Sequence, residues 1–278
     1  MFIQVPSRAF AAFVAIAFQC AAVPAARAQD ASPWIVDAHS SVRLLAGSRS
    51  GGVLLGGIGF QLAAGWKTYW RTPGDSGVPP RFDFSKSENV EAVTVLWPAP
   101  VKFDDGSGGK SFGYKNQVIL PLRIVTKNAD KPVILRADIH YAVCEKLCLP
   151  VEANAELAFE SVASTQDSAL TTALENVPKP ANIGDPNSLT IRDVKRIGNT
   201  VQVDVVSNDS KAIELFVEGP TPDWALPAPR LLPQSPASQV RRFTFELEGL
   251  PPGATPDGAA LKLTLVGDFA YEFNINLN

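Results

Sequence analysis

An all-β fold of two immunoglobulin-like β-sandwich domains, joined by a short helix and linker, is predicted by three features of this 278-residue sequence. Short apolar stretches separated by Pro/Gly/Asp/Ser clusters recur through residues 29–160, the pattern of many strands joined by tight turns. Over residues 161–186 the apolar spacing turns helical, and Pro and Gly then accumulate as in a connector. Residues 187–278 return to strands, with apolar and polar side chains alternating so that one face is buried and one is wet.

The first 28 residues stand apart from either sandwich. Residues 1–8 carry one positive charge, residues 9–23 form an uncharged apolar run, and Ala26-Arg27-Ala28 has the small-x-small pattern of a cleavage site. That succession is a secretory signal peptide. The run is shorter than the roughly 20 residues a spanning helix needs, which disfavours an uncleaved anchor. Cys20 follows Ala17-Phe18-Gln19, which is not the small or aliphatic context of a lipid-attachment cysteine.

In the first sandwich, residues 53–62 are apolar and Gly-rich and lead into Trp66-Lys67-Thr68-Tyr69-Trp70. Residues 81–84, 93–97, 118–125 and 133–143 read as further strands, and Thr72-Pro73-Gly74-Asp75-Ser76-Gly77 as turn chemistry. Leu170, Leu174 and Val177 share helical spacing, and Ser164 with Asp167 resembles a capping box. Pro178-Lys179-Pro180 ends this helix, and residues 183–187 continue as linker. In the second sandwich, residues 201–205, 243–247 and 261–265 alternate strictly, as do Tyr271, Phe273, Ile275 and Leu277 with their polar neighbours. About ninety residues of this pattern suit an immunoglobulin-like sandwich. It contains neither Cys nor His, so any chemistry is expected in residues 29–160.

The chain carries 25 basic and 28 acidic side chains; removal of Arg8 and Arg27 with the signal leaves 23 against 28, a net charge of −5. No basic stripe is present, which argues against nucleic acid as a partner. No later apolar run approaches spanning length, so no membrane insertion is expected after cleavage, and the periplasm is the expected location.

With Cys20 removed, two cysteines remain, Cys144 and Cys148, in a compartment where thiols tend to pair. Leu135, Ala137, Ile139, Tyr141 and Val143 fall on one side of the preceding strand, and Arg136, Asp138, His140, Ala142 and Cys144 on the other. The first set is apolar and should face the core, so Cys144 emerges on the more polar face where the strand gives way to a tight loop. A three-residue spacer brings two Cα atoms within disulfide range if the loop curls like a helical turn. As a staple such a bond is weak, since a five-residue loop constrains the unfolded chain by only about 2 kcal/mol. As a reversible switch it is convenient, because both sulfurs stay close when it opens. Lys146 favours a thiolate and Glu145 opposes one; Pro150 stiffens the loop exit and removes a backbone donor. The alternative is metal. Two thiolates suit Cu(I) or zinc, with His140 as a third ligand. In an extended strand, however, His140 and Cys144 stand about 13 Å apart at roughly 3.3 Å per residue. The other histidine is His39.

At these residues the chain resembles a known family. Residues 141–150, Tyr-Ala-Val-Cys-Glu-Lys-Leu-Cys-Leu-Pro, are similar to the active-site segment of the amino-terminal (alpha) periplasmic domain of DsbD/ScsB-type thiol–disulfide interchange proteins. The ScsB-like branch shares the cysteine spacing. Gly65-Trp66-Lys67-Thr68-Tyr69-Trp70-Arg71 with Pro73-Gly74-Asp75-Ser76-Gly77 resembles that branch's first-domain signature, and Ser111-Phe112-Gly113-Tyr114-Lys115 its capping loop. The resemblance implies an immunoglobulin-like redox domain using Cys144 and Cys148, with Cys148 attacking the partner and Cys144 resolving. It implies a cap in which Phe112 shields the sulfurs with Tyr114 nearby, and chemistry that needs no cofactor. Trp66, Tyr69 and Trp70 can equally be sandwich core, and Arg71 and Asp75 are expected to pair within the turn. Full-length relatives continue into a membrane domain and a thioredoxin-like domain, whereas this sequence stops at Asn278. The expected partners are therefore a separate membrane electron donor of the DsbD/CcdA type and periplasmic thioredoxin-like or other thiol proteins.

Three functions stay open at this point: an electron shuttle, a copper-binding module using Cys144, Cys148 and His140, and a non-catalytic interaction protein with a structural disulfide. The leader reading makes a separate prediction. Exported protein should begin at Gln29, and intact-mass measurement showing residues 1–28 retained would remove it.

Overall fold

The structure, a computed structural model, describes residues 1, 29–104, 108–207, 212–233 and 239–278. The segment assigned to a signal peptide therefore lies, Met1 apart, outside the described residues. Nearly all regular structure is β, in four sheets stacked two and two.

The first sandwich pairs a five-stranded with a six-stranded sheet. The five-stranded sheet runs β1 (Ile35–Val36), β2 (Ser40–Ala46), β3 (Val53–Leu62), β9 (Gln117–Thr126) and β6 (Val90–Val95). The other runs β11 (Cys148–Phe159), β10 (Val133–Cys144), β4 (Lys67–Gly74), β8 (Lys110–Lys115) and β7 (Val101–Asp104), with β5 (Arg81–Asp83) added on β10. The second sandwich pairs β12 (Lys179–Pro180), β19 (Ala270–Asn276), β18 (Ala260–Val266) and β15 (Glu214–Glu218) with β13 (Leu189–Ile197), β14 (Thr200–Ser207), β17 (Val240–Glu246) and β16 (Arg230–Leu231).

Alternation explains the cores. Leu135, Ala137, Ile139, Tyr141 and Val143 of β10 are all buried in the first core, together with Leu44, Ile58, Leu122 and Phe159. In the second, Val201, Val203 and Val205 meet Leu261, Leu263, Leu265 and Phe273. These are the inward sets that period-two reading predicts. The cores are not independent: Phe216 of β15 is buried with the first, its ring meeting Phe112 at 4.8 Å and Trp70 at 5.7 Å, edge to face.

The connector differs from expectation in two ways. Helix α1 (Asp167–Glu175) is no free linker but packs on β3 and β9. Leu170 is fully buried where a side chain on Gly57 would stand, since a Cβ there would come within 2.7 Å of its Cδ2. Secondly, Lys179–Pro180 is recruited as a parallel strand beside β19. The expected cap is shared with the sandwich: the Ser164 hydroxyl accepts from the Gln166 backbone N–H (2.9 Å) at the helix start. The Ser164 hydroxyl donates to the Ala46 carbonyl (2.6 Å), and the Asp167 carboxylate accepts from the Ser48 backbone N–H (2.8 Å) and the Ser48 hydroxyl. Both side chains thus also bond the sandwich, and they tether the helix there.

Because Leu170 fills the gap over Gly57, Leu170→Ala should lower stability by about 2–5 kcal/mol in urea unfolding. A change under about 0.5 kcal/mol would mean that the helix is only a connector.

Candidate functional site: the disulfide hairpin and its face

Strands β10 and β11 form one long antiparallel hairpin, in register through twelve pairs from Val133↔Phe159 to Cys144↔Cys148. The cysteines are its last pair, with Cα atoms 4.2 Å apart and joined as a disulfide. Facing positions in an antiparallel ladder alternate between spacings near 5.5 and 4.5 Å, so the bond sits at the close kind of site. Residues 145–147 thus form a hairpin turn rather than the helical curl expected from the spacing.

The two sulfurs are unequal. Cys144 is 7% exposed and packs with Ala142 and Tyr69, whereas Cys148 is exposed. The Tyr69 hydroxyl lies 3.0 Å from Cys148 Sγ. The ring of Tyr69 is pinned from the far side by Gly77, where a Cβ would come within 2.4 Å of a ring carbon; its φ of 128° also favours glycine. Tyr69 is therefore held against Cys148, and its O–H can donate to a thiolate there.

Register parity places the other residues. Cys144 faces Lys67, and Val143 faces Thr68, across β10 and β4. Lys67, Tyr69, Ala142 and Cys144 therefore share the outer face, while Thr68, Trp70, Tyr141 and Val143 point inward. Lys67, not singled out from sequence, is 9% exposed. Its ammonium donates to the Asp104 carbonyl (3.3 Å) and stands 4.4 Å over the Phe103 ring. These contacts lie towards β7, on the side of β4 away from Cys144, so the ammonium is spent on the neighbouring strands.

The expected cap is not where sequence put it. Thr68 faces Tyr114 and Tyr69 faces Gly113, so Phe112 and Tyr114 lie on the inner face, opposite to the disulfide. Phe112 is buried against Phe216, and the Tyr114 hydroxyl donates to the Pro98 carbonyl (2.8 Å). Burial pushes the Tyr114 pKa well above its ordinary value. Tyr69, with Gly77 against its ring and its hydroxyl at Cys148 Sγ, is the aromatic side chain that lies on the disulfide side. Arg71 and Asp75 do not pair with each other. Arg71 binds Glu218 and Glu272, and Asp75 accepts from the Lys110 backbone N–H (2.8 Å).

Tyr141 is core: its ring meets Phe60 edge-on at 5.1 Å, its hydroxyl bonds Ser40 (2.8 Å), and burial raises its pKa against the opposing pull of that bond. His140 lies outward, its Nδ1 3.4 Å from Glu152, and β10 is unbroken from it to Cys144. Four residues of extended chain, about 13 Å, hold them apart. Glu145 turns its carboxylate towards Gly65, and Lys146 is exposed. Pro150 is exposed on β11, the sheet edge, where its missing N–H blunts strand addition. Beside Cys148 a groove of about 550 Å³ is lined by Val78, Pro79, Arg81, His140, Pro150 and Glu152. Leu147 at the hairpin tip is 71% exposed. Val78, Pro79, Arg81 and Leu147 carry no sequence signal, because only the fold of residues 75–80 brings the first two to the sulfur.

A sandwich that presents an accessible cross-strand disulfide, with one sulfur buried and one outside, has the geometry that thiol–disulfide exchange requires. Residues 43–160 match the family model of the Thiol:disulfide interchange protein DsbD, N-terminal, and this part of the chain is a DsbD/ScsB-type N-terminal domain. The solved N-terminal periplasmic domain of ScsB from Proteus mirabilis superimposes with a TM-score of 0.73 at 20% identity, covering 90% of this chain and 98% of that one. Both sandwiches thus share that fold. A marsupial T cell receptor aligns over 88% of this chain and 98% of its own at 12% identity with a TM-score of 0.24, too low to bear on the fold. No curated protein matches. Among the described residues no helix is long and apolar enough to cross a membrane.

Removing the Tyr69 hydroxyl should leave a Cys148 thiolate with one donor fewer and raise its pKa. One hydrogen bond of about 1 kcal/mol corresponds to a rise of roughly 0.7 unit for Tyr69→Phe. The rate of iodoacetamide alkylation against pH, measured on Cys144→Ser protein, checks this; superimposable profiles would deny Tyr69 the role.

Proposed function

We propose that this protein is a periplasmic thiol–disulfide interchange protein. It takes electrons from a membrane partner of the DsbD/CcdA type and passes them to oxidised periplasmic thiol proteins through Cys144 and Cys148. The observation that carries this reading is the inequality of the pair: Cys148 is open to a partner and Cys144 is kept from one.

In the reduced protein the Cys148 thiolate attacks one sulfur of a partner's disulfide, and the partner's other sulfur leaves as a thiolate. The Cys144 thiolate then attacks Cys148 Sγ within the mixed disulfide, forming the Cys144–Cys148 bond and releasing the partner as a dithiol once its sulfurs take protons from water. Two electrons have moved. Recharging reverses this order: a donor thiolate attacks Cys148, Cys144 leaves as a thiolate, and the donor's second thiolate resolves the mixed disulfide. Only sulfurs are needed.

Magnitude speaks against a mere staple. The bond closes a turn already framed by the eleven other register pairs, and it would add about 2 kcal/mol in the chain-entropy model. The exposed Leu147 and Val78 and the groove along His140 and Glu152 offer a partner contact around the sulfur.

Single-cysteine variants test the roles. In cells, Cys144→Ser should accumulate mixed disulfides through Cys148, while Cys148→Ser should accumulate at least tenfold fewer. Equal trapping by both, or none by either, would end this assignment.

A further inference from the structure

The strand bordering the disulfide is gripped at its other end by the second sandwich. Tyr69 of β4 reaches Cys148, and Trp70, the next residue, turns inward to Phe216 of β15. The Arg71 guanidinium then lies 4.6 Å over the Trp70 ring and forks onto Glu218, with Nε 2.9 Å from Oε2 and Nη2 2.6 Å from Oε1. Nη2 also donates to Glu272 (2.6 Å), which Lys262 holds in turn at 3.3 Å. The Thr72 hydroxyl donates to Glu218 Oε2 at 2.8 Å. One carboxylate at the end of β15 therefore holds two consecutive residues of β4.

The side chains of Arg71, Glu218 and Glu272 are 22%, 13% and 20% exposed, so the cluster is mostly out of water. Forked, charged hydrogen bonds are strong and directional there, and removing one partner strands the others. Burial alone would weaken the hold of Arg71 on its proton; Glu218 and Glu272 outweigh it, and the Arg71 pKa is raised.

Beyond Thr72 the chain returns to the disulfide face. Asp75 is tied to the Lys110 backbone, Ser76 to the Ser111 hydroxyl (3.0 Å), and Gly77 lies flat on the Tyr69 ring. Residues 67–77 thus form a strap, anchored to Cys148 through Tyr69 and to the second sandwich through Arg71 and Thr72.

We propose that the second sandwich is the positioning element of the disulfide site: Glu218, acting through Arg71 and Thr72, holds residues 73–77 of this strap over Tyr69 and so limits the opening of the Cys144–Cys148 bond. The inference rests on reading that pair as the exchanging one. Glu218 touches neither sulfur, and the charge it presents to Arg71 is what keeps the strap closed.

The test uses the full chain and the second-order rate of disulfide reduction by dithiothreitol, read by alkylation and mass. Glu218→Gln keeps the shape and removes the charge; it should speed reduction about fivefold, and Glu218→Asp should restore at least half of the difference. Arg196→Gln, which breaks an ion pair with Asp257 elsewhere on the second sandwich, should leave the rate unchanged. In a Tyr69→Phe background, Glu218→Gln should add less than twofold, because both act through one contact. A Glu218→Gln rate within twofold of the parent, with an unchanged circular dichroism spectrum, would overturn the proposal, as would full additivity with Tyr69→Phe. Should Glu218→Gln not fold, Glu272→Gln takes its place and must raise the rate more than twofold. Loss of mixed-disulfide trapping with the rate effect intact would sink the exchange reading while leaving the clamp standing.

Discussion

The β10–β11 register governs the site. Each of its twelve pairs fixes the next, and the apolar set on β10 is locked into the core, so the hairpin cannot slip without turning Leu135, Ile139 and Val143 to water. A slip of one residue would invert every side chain. With the register held, Cys144 and Cys148 must close the ladder face to face, and on the outer side. The disulfide therefore sits on a rigid frame whose stability owes little to the bond itself. The bond can open without the hairpin coming apart.

The same frame makes the sulfurs unequal. Cys144 is followed by the turn but is still covered from β4, under Tyr69 and opposite Lys67. Cys148 begins β11, which has no further strand beyond it and whose first residues are open to solvent. An edge strand is usually a hazard, and Pro150 with Glu152 and Glu156 on β11 guards this one against pairing with another chain. What remains accessible is a sulfur and an apolar rim, not a line of free backbone groups.

Strand β4 links the two sandwiches physically. Over six residues it contributes Lys67 and Tyr69 to the disulfide face, Thr68 and Trp70 to the inner side, and Arg71 and Thr72 to the second sandwich. A sandwich with no Cys and no His thereby touches the strand that borders the disulfide, because Phe216 and Glu218 reach into the first sandwich from one short strand. The superposition with the N-terminal periplasmic domain of ScsB covers 90% of this chain, so the shared fold spans both sandwiches.

By itself the sequence determined what depends on local period and chemistry. Alternation along 133–143 and 201–205 put the right residues inside, and the four-residue separation of the cysteines at a strand end marked the pair that the structure joins as a disulfide. Tertiary structure decided what depends on strand neighbours. Phe112 and Tyr114 resembled a cap in sequence, yet the β4–β8 register turned both to the inner face and left Tyr69 over the sulfur. Arg71 and Asp75, near in sequence, were drawn apart to Glu218 and Lys110, while Ser164 and Asp167 extended their hydrogen bonds to β2 and its turn. Pairings 35 to 201 positions away decide such outcomes, and no local window can contain them.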